Sequence, residues 1–217
     1  MRMLTISSLP FSTSLTRTNT NLAAKRAMDV VCSAAGLVVL APLLGLIAAA
    51  IKLDSPGPIF YHAIRVGQSG KLFHIHKFRT MVMNADRLGP GLTLANDQRV
   101  TRVGRFLRRS KFDELPQLIN VLRGTMSLVG PRPEDPRYVA LYTSDQRHVL
   151  ELRPGITSLA SVWYRHEEEL LVGDAWEAHY VETVMPTKLR IDLEYLQRVG
   201  PWQDLKVIAR TIIALLR

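Results

Sequence analysis

The sequence predicts an α+β, mostly helical fold, with a membrane element ahead of a small domain. Three observations lead to this prediction. Residues 30–51 form an apolar stretch of 22 residues that contains no charge. Residues 71–79 alternate polar and apolar side chains, as a half-buried strand or a short hairpin does. Apolar residues at i, i+3, i+4 and i+7 from Leu115 indicate one face of a helix over residues 115–122.

The apolar stretch would extend about 33 Å as a continuous helix, enough to cross the hydrocarbon core of a bilayer. Pro42 stands in its middle, where proline removes a helix hydrogen bond and clashes with the preceding turn. The stretch fits a single kinked span or a helix-break-helix hairpin that enters and leaves by one face; a buried core helix is the weakest alternative. Length alone favours the single span. Lys25 and Arg26 before the stretch and Lys52 after it favour the hairpin instead, because lysine and arginine collect at cytoplasmic ends.

The sequence divides into three parts. Residues 1–24 are rich in Ser and Thr, cannot bury a core, and are predicted to form a disordered tail. Residues 25–53 form the membrane helix, and residues 54–217 form a separate domain that holds a short β-hairpin. From Pro201 onward the chain predicts a basic amphipathic helix, which suits either a membrane surface or packing against the domain.

The charge balance predicts a phosphate-bearing partner. The chain has 28 Lys and Arg against 19 Asp and Glu, a formal net charge of +9. Such a chain binds nucleic acid, anionic lipid or a phosphorylated substrate. Nucleic acid fits less well, because the basic segment 99–111 has few aromatic residues for base stacking. The cations of this segment are spaced three apart and share one face of a helix. That face either contacts water or lipid, or binds phosphate. The single cysteine, Cys32, excludes a disulfide within the chain.

Asp113 and Glu114 are the candidate catalytic pair. They precede the apolar helix face, with Pro116 suited only to a first turn and Gly124 suited to a C-terminal cap. This arrangement predicts that Asp113 caps the helix. Beyond capping, a carboxylate at the positive end of a helix stays ionised and can bind a cation or attack phosphorus.

Two arginines stand in rigid turns. Pro131 and Pro133 clamp Arg132 in a non-helical segment, as suits an arginine that meets a phosphate in fixed geometry. Arg153 stands directly before Pro154 in a second rigid turn.

Six motifs in order resemble the bacterial sugar transferases, also called monotopic phosphoglycosyl transferases, and together they cover nearly all of residues 25–217. They are Lys25-Arg26-Ala27-Met28-Asp29, Asp54-Ser55-Pro56-Gly57-Pro58, Lys77-Phe78-Arg79-Thr80-Met81, Asp113-Glu114-Leu115-Pro116-Gln117, Gly130-Pro131-Arg132-Pro133 and Arg153-Pro154-Gly155-Ile156-Thr157.

The resemblance implies an activity. The family transfers a sugar 1-phosphate from a nucleotide diphosphate sugar, usually a UDP-sugar, to a polyprenyl phosphate, usually undecaprenyl phosphate, and releases UMP. The reaction initiates exopolysaccharide, O-antigen, capsule or glycoprotein glycan synthesis. The apolar stretch becomes a re-entrant helix broken at Pro42, which places the catalytic domain on the cytoplasmic face of the bacterial inner membrane. The chain resembles the minimal catalytic form, without the four transmembrane helices of long relatives.

The resemblance also implies the site. Asp113 matches the family's nucleophile, which forms a covalent phosphosugar intermediate, and Mg²⁺ is required. Asp113 and Glu114 are the expected catalytic residues and metal ligands, with Glu114 either helping to hold the metal or positioning the acceptor. Four cations are expected to bind substrate: Lys77, Arg79, Arg132 and Arg153.

The expected partners are the nucleotide sugar, the polyprenyl phosphate and membrane lipids, without nucleic acid. The sequence is compatible with a homodimer and fixes neither the oligomeric state nor the sugar.

A second class of function is a non-enzymatic, membrane-attached basic module that binds anionic lipid or nucleic acid. That class explains the charge and the anchor, but it does not explain Asp113 and Glu114 among so many cations.

Overall fold

The computed structural model describes residues 19–88, 97–171 and 175–215, so the predicted tail lies outside it up to residue 18. The helices are α1 (Asn19–Asp54), α2 (Ala85–Leu88), α3 (Arg102–Ser110), α4 (Gln117–Leu122), α5 (Pro136–Val139), α6 (Leu159–Trp163), α7 (Trp176–His179), α8 (Met185–Leu196) and α9 (Pro201–Leu215). The strands are β1 (Phe60–Val66), β2 (Leu72–Phe78), β3 (Ser127–Val129) and β4 (Gly155–Thr157). These elements confirm the α+β, mostly helical class.

The apolar stretch lies within one long helix. α1 begins at Asn19, inside the segment predicted to be a tail, and continues through Pro42 to Asp54. It is long and apolar enough to cross a membrane, and the side of the helix that carries Val38 and Val39 is exposed. Because the helix is not interrupted at Pro42, the predicted break is not shown, and the hairpin stays a prediction.

Polar side chains attach the first turns of α1 to the domain. The Lys25 ammonium donates to the Val129 carbonyl oxygen (2.8 Å) and forms an ion pair with Asp204 of α9. Four residues later, the Asp29 carboxylate accepts a hydrogen bond from the Leu128 amide at 3.0 Å. Both residues are buried, so these bonds fix α1 against β3 and α9 in a site that water does not reach.

Apolar side chains attach the last turns of α1 to the same domain. Ile47 and Ile51 are buried against Phe78 of β2 and Leu107 of α3. Both ends of α1 therefore pack on one body, although roughly 39 Å of helix separates Lys25 from Ile51 at the usual rise.

The β-hairpin predicted from the alternation over residues 71–79 is confirmed. β1 and β2 pair antiparallel, with Phe60 opposite Phe78 and Val66 opposite Leu72. α4 is fixed to β2 by Asn120, whose amide nitrogen donates to the His74 carbonyl oxygen at 2.8 Å. This contact places α4 beside the middle of β2.

A helix over the basic segment is also confirmed. The Thr101 hydroxyl caps α3 by accepting from the Gly104 amide at 3.0 Å. Gly104 lies so close to Thr80 that a Cβ atom there would overlap the Thr80 carbonyl group. Glycine at this position therefore lets α3 pack directly on the segment that follows β2.

A parallel pair of short strands was not predicted. β3 pairs with β4, and the Gly155 amide donates to the Pro131 carbonyl oxygen at 2.9 Å. A Cβ atom on Gly155 would overlap the backbone of Gly130. The two glycines thus let the Arg153 turn lie against the segment that holds Arg132.

The helix predicted from Pro201 is confirmed as α9. Asp204 and Val207 are buried in the domain, whereas Trp202 and Ile212 are exposed. Packing against the domain is therefore shown, and contact of the opposite side with a membrane stays a prediction.

Candidate active site

Asp113 and Glu114 lie in a 3-10 turn, Phe112–Glu114, between α3 and α4. Lys111 ends α3 in the left-handed conformation (φ 58°), which turns the chain back toward β2. The prediction that Asp113 caps the following helix is wrong, because α4 begins at Gln117 and Pro116 occupies its N-cap position. The predicted C-terminal glycine is confirmed, since Gly124 follows α4 with φ 81°.

Glu114 brings two predicted substrate-binding cations together. Its Oε1 accepts hydrogen bonds from the Lys77 ammonium (2.7 Å) and from Nη2 of Arg132 (2.8 Å). Burial alone would raise the pKa of Glu114, but Arg132 and Lys77 lower that pKa well below its usual range. Glu114 is therefore an ionised carboxylate held between cations that come from β2 and from the proline-clamped segment.

Asp113 has a free oxygen. The residue is buried, and its Oδ1 makes no hydrogen bond. Burial raises the pKa of Asp113 above its ordinary value; Lys77, Arg108 and Lys111 oppose the rise, and Glu114 adds to it. Burial therefore outweighs the predicted stabilisation of the ionised form by a helix end. The result is a carboxylate with one unpaired oxygen next to several cations.

Arg108 and Lys111 are site residues that the sequence did not single out. Arg108 is oriented by a hydrogen bond from its Nε to the Thr80 hydroxyl at 2.8 Å, and its charge acts on Asp113. The available signal was the basic segment itself, which runs along α3 directly into Asp113. One end of that segment therefore faces the site rather than solvent or lipid alone.

The four predicted substrate-binding cations differ in their surroundings. Arg132 keeps 38% of its side chain exposed beside Glu114. Arg153 is half-buried, and within the described residues its guanidinium makes no hydrogen bond or ion pair. Lys77 bonds to Glu114, as described above.

Arg79 is engaged elsewhere. Its Nη2 donates to the carbonyl oxygen of Ser55 at 2.7 Å and to the hydroxyl of the same residue at 2.9 Å, while Nη1 donates to the Pro56 carbonyl. These bonds hold the turn that follows α1. A structural role for Arg79 is therefore evident, and its contact with substrate stays a prediction.

A family model described as bacterial sugar transferase matches residues 20–217. The chain belongs to the bacterial sugar transferase family. It is 44% identical over 199 residues to the UDP-glucose:undecaprenyl-phosphate glucose-1-phosphate transferase of Caulobacter vibrioides, covering 88% of this chain and 69% of that protein. It is 39% identical over 197 residues to the protein of the same name from Escherichia coli, covering 87% of this chain and 39% of that protein.

Other members differ in the sugar they are named for. The chain is 35% identical over 197 residues to the UDP-N-acetylgalactosamine-undecaprenyl-phosphate N-acetylgalactosaminephosphotransferase of Aeromonas hydrophila, covering 88% of this chain and 43% of that protein. The sugar transferase chain thus spans less than half of several relatives. All three relatives are transferases by name, which confirms the predicted enzyme class over the non-enzymatic basic module.

The carboxylates of this sugar transferase fit the expected Mg²⁺. Magnesium takes oxygen ligands and is commonly bound through one or two carboxylates together with substrate phosphates and water. Asp113 offers an unpaired oxygen, and Glu114 is an adjacent ionised carboxylate. Within the described residues, no group of three or more His, Cys, Asp or Glu side chains could hold a metal ion. A bound Mg²⁺ would therefore depend on these two carboxylates and on the phosphates of the substrate.

Proposed function

We propose that this sugar transferase moves a sugar 1-phosphate from a UDP-sugar to undecaprenyl phosphate and releases UMP. The relatives are named for transfer onto undecaprenyl phosphate, with UDP-glucose or UDP-N-acetylgalactosamine as the donor. The observation that carries the proposal is the unpaired Oδ1 of buried Asp113, which lies among cations suited to a diphosphate.

Asp113 is the nucleophile in this proposal. A carboxylate oxygen of Asp113 forms a bond to the β-phosphorus of the UDP-sugar, and the bond from that phosphorus to the UMP oxygen breaks. UMP leaves with the electron pair, and the phosphosugar stays on Asp113 as an acyl phosphate. An oxygen of undecaprenyl phosphate then attacks the same phosphorus and releases the Asp113 carboxylate. Two displacements of this kind give ping-pong kinetics.

Like-charge repulsion is the main obstacle to this attack, because both the nucleophile and the diphosphate are anionic. Lys77, Arg108 and Lys111 favour the ionised form of Asp113 against the effect of burial. Arg132 is partly exposed and offers its remaining guanidinium nitrogens to a phosphate. Mg²⁺, when bound at Asp113 and Glu114, supplies further positive charge against the phosphates.

The test is Asp113→Asn, with intact mass and UMP release as the measurements. The wild type mixed with UDP-sugar alone should gain the mass of one phosphosugar, located on Asp113, and the variant should fold, gain no mass and release no UMP. The matched control is Asp145→Asn, an exposed position, which should behave as the wild type. An active Asp113→Asn enzyme, or a sequential rate law without an adduct, would overturn the covalent route and leave the transferase reaction standing.

The proposal includes a re-entrant topology for α1. Lys25 and Ile51 pack on one domain, and a domain on one side of a bilayer cannot bury both ends of a spanning helix. This packing supports entry and exit by the cytoplasmic face. With Cys32 replaced by Ala, cysteines at the exposed positions Ala24 and Lys71 should both react from the same side of the membrane. Labelling from opposite sides would establish a full span.

A further inference from the structure

Gln117 is a buried polar residue that the proposed mechanism does not use. It is the first residue of α4, four positions after Asp113, and 2% exposed. Its Nε2 makes no hydrogen bond, as is also true of Oδ1 of Asp113. Buried polar groups in proteins nearly always have partners, so an unpaired one needs an explanation. Here an unpaired donor and an unpaired acceptor are close in the chain at the proposed site of attack.

The packing of α4 on β2 does not explain the unpaired amide. Asn120 lies one turn later on the same buried side of α4. Its Oδ1 accepts from the His76 amide at 2.9 Å, and its Nδ2 donates to the His74 carbonyl at 2.8 Å. The side of α4 that packs on β2 therefore pairs both polar atoms of the Asn120 carboxamide. The unpaired nitrogen of Gln117 is thus specific to the end of α4 that follows Asp113.

We propose that Gln117 contacts the substrate, and that its amide N–H donates to a non-bridging oxygen of the phosphoryl group that Asp113 attacks. This inference rests on the proposed function. A non-bridging phosphoryl oxygen is a hydrogen-bond acceptor that reaches the site only with the substrate, which accounts for a donor left unpaired in the free protein. Such a donor stabilises the charge that develops on that oxygen in the transition state.

A neutral donor also suits this position better than a cation. A lysine or arginine in place of Gln117 could form an ion pair with the Asp113 carboxylate and compete with its attack on phosphorus. The cations Lys77 and Arg132 pair with Glu114 instead. An amide can bind the phosphoryl oxygen without neutralising the nucleophile.

The test replaces Gln117 with Met, which has similar length and no donor. UMP release from UDP-sugar by the full-length variant should slow by at least about tenfold, since removing one oxyanion donor slows other enzymes about 10²- to 10³-fold. The thermal midpoint should not fall, because no hydrogen bond of the free protein is lost. The matched comparison is Asn120→Leu, which removes the three hydrogen bonds between the Asn120 side chain and His74 and His76 of β2 and should lower the thermal midpoint.

The outcomes separate this inference from the function on which it rests. If the wild type releases UMP and Gln117→Met releases it at the same rate, the role of Gln117 is overturned and the transferase proposal stands. A fall in thermal midpoint as large as that of Asn120→Leu would identify a structural bond and also overturn the inference. If the wild type releases no UMP from any UDP-sugar, the proposed function fails, and the role of Gln117 fails with it.

Discussion

The ion pair between Lys25 and Asp204 should dominate the attachment of α1 to the domain. The two side chains are 8% and 0% exposed. The Lys25 ammonium also donates to the Val129 carbonyl, and the Asp204 carboxylate accepts from the Tyr195 hydroxyl. Replacing Lys25 with Met keeps the apolar stem and leaves the buried carboxylate without a cation.

The expected loss follows from this burial. Removing one partner of a buried ion pair costs about 3–5 kcal/mol, because the remaining charge is buried and uncompensated. Burial raises the pKa of Asp204, and Lys25 opposes that rise. Without Lys25 the pKa rises further, so Asp204 takes up a proton more readily. The loss should therefore be smaller at acidic pH and grow as the pH increases.

Thermal unfolding of the full-length protein in detergent measures the effect. At about 2–4 °C per kcal/mol for a chain of this size, the thermal midpoint of Lys25→Met should fall by roughly 6–20 °C. The double variant Lys25→Met/Asp204→Leu should regain most of the loss, because an apolar pair can replace a buried ion pair. The control is Lys71→Met at an exposed position, expected within about 0.5 kcal/mol of wild type. A Lys25→Met loss no larger than the control, or no recovery in the double variant, would refute the reasoning.

Three further predictions concern the site and its support. Burial raises the pKa of Asp113, and only the ionised form attacks, so UMP release should increase with pH through that raised pKa; a rate independent of pH on the acidic side would contradict this. Arg132→Lys keeps the charge but loses the planar fork, so kcat/KM should fall about tenfold or more for a contact of about 1.5–3 kcal/mol, and near-normal kinetics would argue against phosphate binding. Gly104→Ala should lower the unfolding free energy by about 1–3 kcal/mol in denaturant titration, because its methyl group meets the Thr80 carbonyl. Gly45→Ala, with no atom within 4 Å of the added carbon, is its control, and equal stabilities would contradict the packing argument.

Elements with a strong local pattern were predictable from the sequence. The alternation over residues 71–79, the spacing of the basic segment and the amphipathic end of the chain correspond to β2, α3 and α9. Each pattern reflects which side chains of one element face the domain, and that information is contained in a few consecutive residues.

Features that depend on distant contacts were not predictable. β3 and β4 have three residues each, too few for periodicity, and their pairing depends on the close approach of Gly130 to Gly155. The sequence predicts that α4 starts directly after Asp113, whereas it begins at Gln117. The residues of a 3-10 turn resemble the first turn of an α-helix, where a proline is also accepted. The raised pKa of Asp113 follows from burial by the folded chain, which a motif of adjacent residues does not specify.

The contact between Lys25 and Asp204 also constrains the order of events during synthesis. The two residues are 179 positions apart, so at about 5–20 residues per second the ribosome needs roughly 9–36 s to make the second after the first. During that interval the Lys25 ammonium of α1 lacks its Asp204 partner, and β3 has no α9 to pack against. A nascent chain that stops before α9 should therefore remain a substrate for chaperones and proteases, because α1 cannot complete its attachment to the domain until α9 has been made.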